Sequence, residues 1–348
     1  MSHFASLNNR PMTRLAAVGL SLCILLSSLA LFAGCGKQGT YTTSFLDTFD
    51  TVLTVTVGAD TREQATEWTT ALHVIARDLH DQFSIYDGFS TINNLKTVNN
   101  YAGQNPIKVS PEIVELLTVG KDIYTQSGGA VNICMGSLLS EWRDAKEDSR
   151  VPAKEIVEVL LREQSSMDKL EIDAENSTVR ITQATVSLDV GAIAKSYVLE
   201  RMRLYAEEQG ITSLLVNFGG QVLAIGRHPD GKPWTVAIRD PRDGSELTRI
   251  EVENAIVSTS ADDQRAYTVD GVSYHHIIDP ATGYPARLYR SVTVLLPLEH
   301  TTYSDGLSTA LFIMSREEGQ ALMETYGGSA LWLTSEGEVL DYNWPSNQ

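Results

Sequence analysis

Tyr274-His275-His276-Ile277-Ile278-Asp279-Pro280-Ala281-Thr282-Gly283-Tyr284-Pro285 puts two imidazoles, a carboxylate and two prolines into a segment that begins like a strand and ends like a turn. Ile277 and Ile278 mark the apolar strand, and Asp279-Pro280 followed by Thr282-Gly283 makes a rigid turn that leaves the histidines near its rim. Val269-Asp270-Gly271 reads as a hairpin turn leading into it. The rest of the chain is then expected to be a scaffold that brings other polar clusters to this rim.

On the N-terminal side, Leu214 to Phe218 reads as a buried strand ending in Gly219-Gly220, and Trp234 to Arg239 as a strand stopped at Asp240-Pro241. Ala255 to Ser258 leads into Thr259-Ser260-Ala261-Asp262-Asp263-Gln264-Arg265, where Asp262 and Arg265 can form an ordinary ion pair. On the C-terminal side, Ser291 to Leu296 is a strand, Ser304 to Ala310 opens a helix, and Ala330 to Leu333 with Glu338 to Leu340 forms a closing hairpin. Nearer the start, Phe45 to Val57 alternates as one strand. Asp60-Thr61-Arg62-Glu63 resembles a capping box for a helix whose apolar positions run from Ala65 to Phe83. Ser110-Pro111 starts another helix. Glu141 to Arg150 reads as charged and solvent-facing, and Pro152 to Arg162 as a surface helix, so that together they form a helical arm serving as cover. Val186 to Val190 reads as a strand, Gly191 as a turn, and Ala192 to Gln209 as a helix capped by Gly210. Strands and helices mix without regular βαβ alternation, which predicts the α+β class. No period of 20–50 residues repeats, which excludes a solenoid or propeller.

The chain has 348 residues, 43% of them hydrophobic, enough for one large domain or two intimately packed subdomains. Its first 34 residues stand apart. Arg10 and Arg14 precede an apolar run from Leu15 to Phe32, and Leu31-Phe32-Ala33-Gly34-Cys35 resembles a bacterial lipobox. Residues 1–34 are therefore expected to be a lipoprotein signal peptide, Cys35 the lipidated residue and 35–42 a tether; a membrane-spanning anchor is the alternative. Either places the folded part outside the cytoplasm, at the extracytoplasmic face of a bacterial membrane. Without the leader the balance is 25 basic to 44 acidic residues, a net of −19. Such a surface repels nucleic acid, which excludes it as a partner. Cys134 is the only cysteine left beyond the anchor, so no intramolecular disulfide is expected.

No phosphate loop, Gly-x-Ser-x-Gly elbow, His-Glu-x-x-His or Cys-x-x-Cys occurs. Asp189-Val190-Gly191-Ala192-Ile193-Ala194-Lys195 joins a carboxylate, a turn, a helix N-terminus and a lysine. This is either a phosphate-attracting corner or a plain strand-to-helix turn. Asp305 and Thr309 project from one helical face as hard oxygen donors suited to Mg²⁺, unless Ser304 or Asp305 is the N-cap and Thr309 packs.

These clusters occur in order. Ser187 to Lys195, Val216 to Gly220, Trp234 to Pro241, Thr259-Ser260 to Arg265, His276 to Gly283 and Ser304 to Thr309 together resemble the ApbE family of FAD:protein FMN transferases, from about Thr43 to Trp332. The resemblance implies an ApbE-like domain over 43–345, built as two intimately packed α/β subdomains around mixed or antiparallel sheets with a helical arm. It implies Mg²⁺-dependent transfer of FMN from FAD to a Ser or Thr hydroxyl of a target protein, with release of AMP. By that similarity Phe49, Tyr86, Ala130, Val131, Asn132, Asp189, Lys195, His276 and Ile278 contact FAD. The Ala192 carbonyl, Asp305 and Thr309 hold the metal, and His276 or Asp305 acts as base. The implied partner is an acceptor flavoprotein exposed outside the cytoplasm, such as a subunit of a membrane redox pump. Asn132, Ala261 and Ser196 depart from the family's usual Asp, Gly and Gly. An FAD-binding lipoprotein and an FAD pyrophosphatase are the rival readings.

Overall fold

Residues 38–345 are described by a computed structural model of the chain; the leader over 1–34 and the anchor Cys35 lie outside the described residues. Strand β1 (Gly39–Thr48) turns back into β2 (Thr51–Ala59) where one strand from Phe45 to Val57 is expected. The turn is made by Phe49 and Asp50, both in the left-handed region at φ 53° and 52°. Asp50 is a residue that turns favour, but Phe49 at positive φ is not, and no Gly or Pro marks the position, so the signal in the sequence is weak. β1 also begins earlier than the tether reading allows, because Gly39 and Thr40 pair with Ala59 and Gly58. Pairing with β2, rather than apolar content, orders those residues.

Helix α1 (Arg62–Phe83) starts where Thr61 accepts a hydrogen bond from the Gln64 amide, while Gln64 Oε1 accepts from the Asp60 amide. It buries Leu72, Ala76, Leu79 and Phe83 on one face. There follow α2 (Leu95–Asn100), β3 (Ile107–Lys108) and α3 (Pro111–Gln126), the last with proline in its first turn and Ser110 as N-cap. The arm consists of α4 (Gly136–Glu147) and α5 (Lys154–Gln164). After it come β4 (Leu170–Asp173), β5 (Thr178–Ile181), α6 (Ala194–Glu208), β6 (Ser213–Phe218) and β7 (Gln221–Gly226). Next are β8 (Trp234–Arg239), β9 (Glu246–Val252), β10 (Ala255–Ala261), β11 (Tyr267–Val269) and β12 (Val272–Tyr274). The chain closes with β13 (Tyr289–Pro297), α7 (Ser304–Ile313), α8 (Arg316–Thr325), β14 (Ser329–Thr334) and β15 (Val339–Tyr342).

Eight strands form the main sheet in the order β1-β2-β6-β7-β10-β13-β14-β15, and every named strand pair is antiparallel. The period of two sorts its side chains cleanly. Leu223, Ile256, Val294 and Trp332 face the helices, whereas Val222, Val257, Leu295 and Leu331 face the β8–β9 hairpin. The three-stranded sheet β3-β5-β4 shares the helix-side core through Leu170, Val179 and Ile181. The fold is thus α+β, and the parts expected as two subdomains have one apolar core in common.

This topology gathers one end of the sheet. The β1–β2 turn, the Gly219-Gly220 turn between β6 and β7, the end of β10 and the start of β13 all lie there, as the registers Leu53↔Phe218, Phe218↔Gln221 and Ala261↔Ser291 require. Helix α1 runs back toward the same end and delivers His80, whose Nδ1 accepts from the Phe49 amide at 3.1 Å.

Candidate active site

The segment Val186 to Val190 is not a strand of a sheet. It is held by point contacts: Ser187 bridges Met135, and the amide of Asp189 donates to the Ile133 carbonyl at 2.9 Å. Asn99 clips Leu188 from both sides, accepting from its amide at 2.7 Å and donating to its carbonyl at 3.0 Å. Asp189 is thereby fixed facing the cleft. Its Oδ1 accepts from the Gly191 amide at 2.9 Å, and its Oδ2 pairs with Arg143 at 2.7 Å. The Arg143 guanidinium also lies over the Tyr86 ring, 5.5 Å from its centroid.

Arg143 stands on α4, which corrects the reading of the arm as solvent-facing cover. Trp142 and Ala145 are buried, and Trp142 Nε1 donates to the Gly283 carbonyl at 2.9 Å. Tyr267 adds a bond from its hydroxyl to the Arg150 carbonyl at 2.9 Å. The arm therefore clamps the histidine loop. Within that loop Asp279 Oδ1 accepts from the Ala281 amide, and the Asp279 carbonyl accepts from Gly283, at 2.8 Å each. Gly283 has φ +76° and faces Val157, where a Cβ would sit 2.6 Å from Cγ1, so only glycine fits. The turn expected at 279–283 is present, but the strand ends at Tyr274, and Ile277 and Ile278 follow in irregular backbone with one bridge, Ile278↔Pro285. Ile278 is buried against Met135, Leu138, Trp142 and Val157, so its side chain supports the loop and does not line the cleft.

The two histidines are used in opposite ways. His275 is buried, its Nε2 donating to the Ala286 carbonyl at 2.8 Å and its Nδ1 accepting from the Ile277 amide at 3.2 Å. Both nitrogens are spent, and burial pushes its pKa down. His276 has an exposed edge, and its Nδ1 must donate to the Gln264 carbonyl at 3.0 Å. That fixes the neutral tautomer with a bare, acceptor Nε2. Desolvation by the protein atoms packed around the ring, then Arg265 and His275, lowers its pKa to about 4. Arg265 itself does not pair with Asp262; Asp262 meets Arg290 at 3.1 Å, and Arg265 adopts φ 53° in an exposed turn.

At the metal corner, helix α7 starts without a side-chain cap, since Tyr303 is the N-cap and Ser304 Oγ donates to the Thr301 carbonyl at 2.9 Å. Asp305 is thus not a cap. It is 6% exposed, and its Oδ2 receives Lys195 Nζ at 3.0 Å. Gly306 leaves no room for a Cβ against Ile123, which brings α7 close onto α3. Thr309, half-buried one turn on, touches Ser260 Oγ at 3.3 Å. At the start of α6 the amides of Ile193 and Ala194 both turn to the Val190 carbonyl, and no backbone amide among the described residues outside regular helices and strands donates to Ala192. Among those residues no three His, Cys, Asp or Glu side chains converge as a metal cluster. One carboxylate, one hydroxyl and one free carbonyl form a sparse, hard-oxygen set of the kind Mg²⁺ completes with waters and phosphate oxygens, and the ammonium already resting on Asp305 shows that a cation is accommodated there. The residues fit the metal.

Asn132 is occupied otherwise: its Oδ1 accepts from the Cys134 amide at 2.9 Å, and its Nδ2 donates to the Ser165 carbonyl at 2.7 Å. Val131 is buried, so the Ala130 to Asn132 segment offers a ligand mainly backbone. Phe49 packs edge-on against His80 and Phe218, at 5.2 and 5.5 Å between centroids, on the turn at the same sheet end. Arg143 and Asn99 are the site residues missed by sequence reasoning. Arg143 sits in a charged run with no periodic mark, and Asn99 acts through a contact 89 residues away.

The model of the ApbE family matches residues 49–332, and the chain belongs to that family. A Treponema pallidum (strain Nichols) protein named FAD:protein FMN transferase is 31% identical over 255 residues, covering 68% of this chain and 70% of its own. A Vibrio cholerae protein of the same name is 30% identical over 316 residues, 86% of this chain and 90% of its own. Among solved structures, the ApbE protein from Thermotoga maritima superposes with a TM-score of 0.79 at 28% identity, covering 88% of this chain and 97% of that one.

Proposed function

We propose that this chain is a FAD:protein FMN transferase. The acceptor's Ser or Thr oxygen bonds to the phosphorus of the FMN half of FAD, the P–O bond to the AMP half breaks, and AMP leaves with the bonding electrons. The hydroxyl proton passes to Nε2 of His276, the one imidazole nitrogen of the pair with a free lone pair. Lys195 and the N-terminus of α6 meet the phosphates, and Tyr86 offers its ring face to the flavin. Asp305, Thr309 and the Ala192 carbonyl would hold Mg²⁺. When bound, it supplies charge neutralisation at the pyrophosphate oxygens.

The observation that carries this reading is a pair of contacts on one helix, Lys195 with Asp305 and Ser260 with Thr309, together with a His276 whose Nδ1 is engaged so that Nε2 is left as an acceptor. Lipidation at Cys35 and a place at the extracytoplasmic face of a bacterial membrane complete the proposal, with a flavoprotein exposed on that side, such as a redox-pump subunit, as acceptor. The leader and lipobox support that part. Incubating the chain with FAD, Mg²⁺ and an acceptor domain, and weighing the acceptor, tests it. The expected result is a mass gain equal to the FMN phosphoester with one AMP released per flavin. AMP with free FMN indicates a pyrophosphatase, and neither product indicates a flavin-binding protein.

A further inference from the structure

Beside the metal corner lies a chain of four hydroxyls whose proton directions are fixed by counting. Ser308 Oγ donates to the Asp305 carbonyl at 3.0 Å, which spends its single proton. Its contacts with Ser258 Oγ at 3.3 Å and Ser260 Oγ at 2.9 Å must therefore be bonds it accepts, and they fill both its lone pairs. Ser260 has now spent its own proton on Ser308. In the remaining contact, 3.3 Å between Ser260 Oγ and Thr309 Oγ1, the proton belongs to Thr309. Ser258 and Ser308 are fully buried and Ser260 is 8% exposed, so bulk water does not compete for the bonds among the three serines, while Thr309 at the end of the chain is half-buried.

We propose that Ser260 is a positioning residue for Thr309. It draws the threonine proton inward, so that the hydroxyl oxygen turns its lone pairs toward the cation held with Asp305. Without that acceptor the proton is free to rotate outward and oppose the cation. Ser308 sets the direction of the whole relay and also ties it to the Asp305 backbone, which couples the two protein ligands on α7. The inference rests on the reading of Thr309 as a metal ligand and adds to it the residue that makes the ligand competent.

The test uses Mn²⁺ as probe, titrated into FAD-saturated protein, with free Mn²⁺ read from its electron paramagnetic resonance signal and FAD alone as the reference. Thr309→Val is expected to weaken Mn²⁺ binding about tenfold or more, the loss of one oxygen ligand. Ser260→Ala is expected to weaken it about fivefold, and Ser260→Thr, which keeps the hydroxyl, to restore it. Ser308→Ala frees the Ser260 proton to turn on Thr309 and is expected to weaken binding as well. It keeps the proposal testable should Ser260→Ala fail to fold. Wild-type Mn²⁺ affinity in Ser260→Ala and Ser308→Ala beside a weakened Thr309→Val overturns the relay and leaves the ligand reading standing. Wild-type affinity in Thr309→Val overturns both.

Discussion

Lys195 Nζ lies 3.0 Å from Asp305 Oδ2, so an ammonium sits on the carboxylate that the family resemblance gives to the metal. The aspartate is nearly buried and the lysine about three-quarters so, which makes the pair a stored charge interaction of a kind that an exposed pair would not be. If Asp305 also takes the metal, two cations compete for one carboxylate. Lys195→Met is therefore expected to raise the affinity of the FAD-free protein for Mn²⁺ by roughly tenfold while weakening FAD binding by a similar factor. Calorimetric titration of each ligand separately checks it, and parallel losses in both would contradict the competition.

The neighbouring imidazoles separate catalysis from folding. His276→Ala is expected to slow FMN transfer by about a hundredfold at saturating FAD, with FAD affinity and the unfolding midpoint nearly unchanged. His275→Ala removes the partners of the Ala286 carbonyl and the Ile277 amide and an edge contact with Phe312. It is expected to cost about 2–4 kcal/mol in urea unfolding. An exchange of these two phenotypes would reverse the assignment.

The pH response follows from the same ring. A histidine lowered from 6.5 to about 4 takes up its proton in the unfolded chain before the folded one. The contribution to stability is complete above about pH 6.5 and is lost as the pH falls toward about 4. For the same reason His276 stays unprotonated through the mildly acidic range, where the proposed base role would need it so. The acid limb of kcat/KM is expected below pH 5, not near 6.5, and imidazole proton resonances followed by NMR in wild type and His276→Ala locate the titration.

Gly283 and Val157 supply a packing test. Gly283→Ala meets both a positive φ and the Val157 methyl, and is expected to destabilise by about 2–4 kcal/mol. Adding Val157→Ala relieves the contact but not the backbone strain. The double variant is expected to be less unstable than the sum of the singles by about 1 kcal/mol. Strict additivity in denaturation curves would show that the clash is absorbed elsewhere.

Much of this was legible in the sequence because it is local. The Asp279 to Gly283 turn, the Asp270-Gly271 hairpin and the one-turn spacing of Asp305 and Thr309 depend on side chains within a few residues of one another. The preference for His276 over His275 came with the family resemblance, and the hydrogen bonds now give its physical reason. What stayed hidden depends on distant partners. Arg143 looks like one charge in a solvated run until Asp189 and Tyr86 are brought beside it. Asn132 matches a ligand position, yet its amide is consumed by Ser165 and Cys134, a clip in which a carboxylate could not donate to the Ser165 carbonyl. The Phe49-Asp50 turn was missed because no Gly or Pro marks it and Phe49 is not a turn former; pairing of β1 with β2 holds it.

The register of β2 on β6 also governs how the chain becomes this structure. Leu53 finds Phe218 only after everything from α1 to α6 has been made, so the β1–β2 hairpin leaves the ribosome long before its second neighbour exists. Closing so long a loop is slow, and in the interval the hairpin carries an apolar face and an open strand edge, the usual starting point for misassociation. A cell producing this protein has to keep the first half of each nascent chain away from its neighbours until the second half arrives.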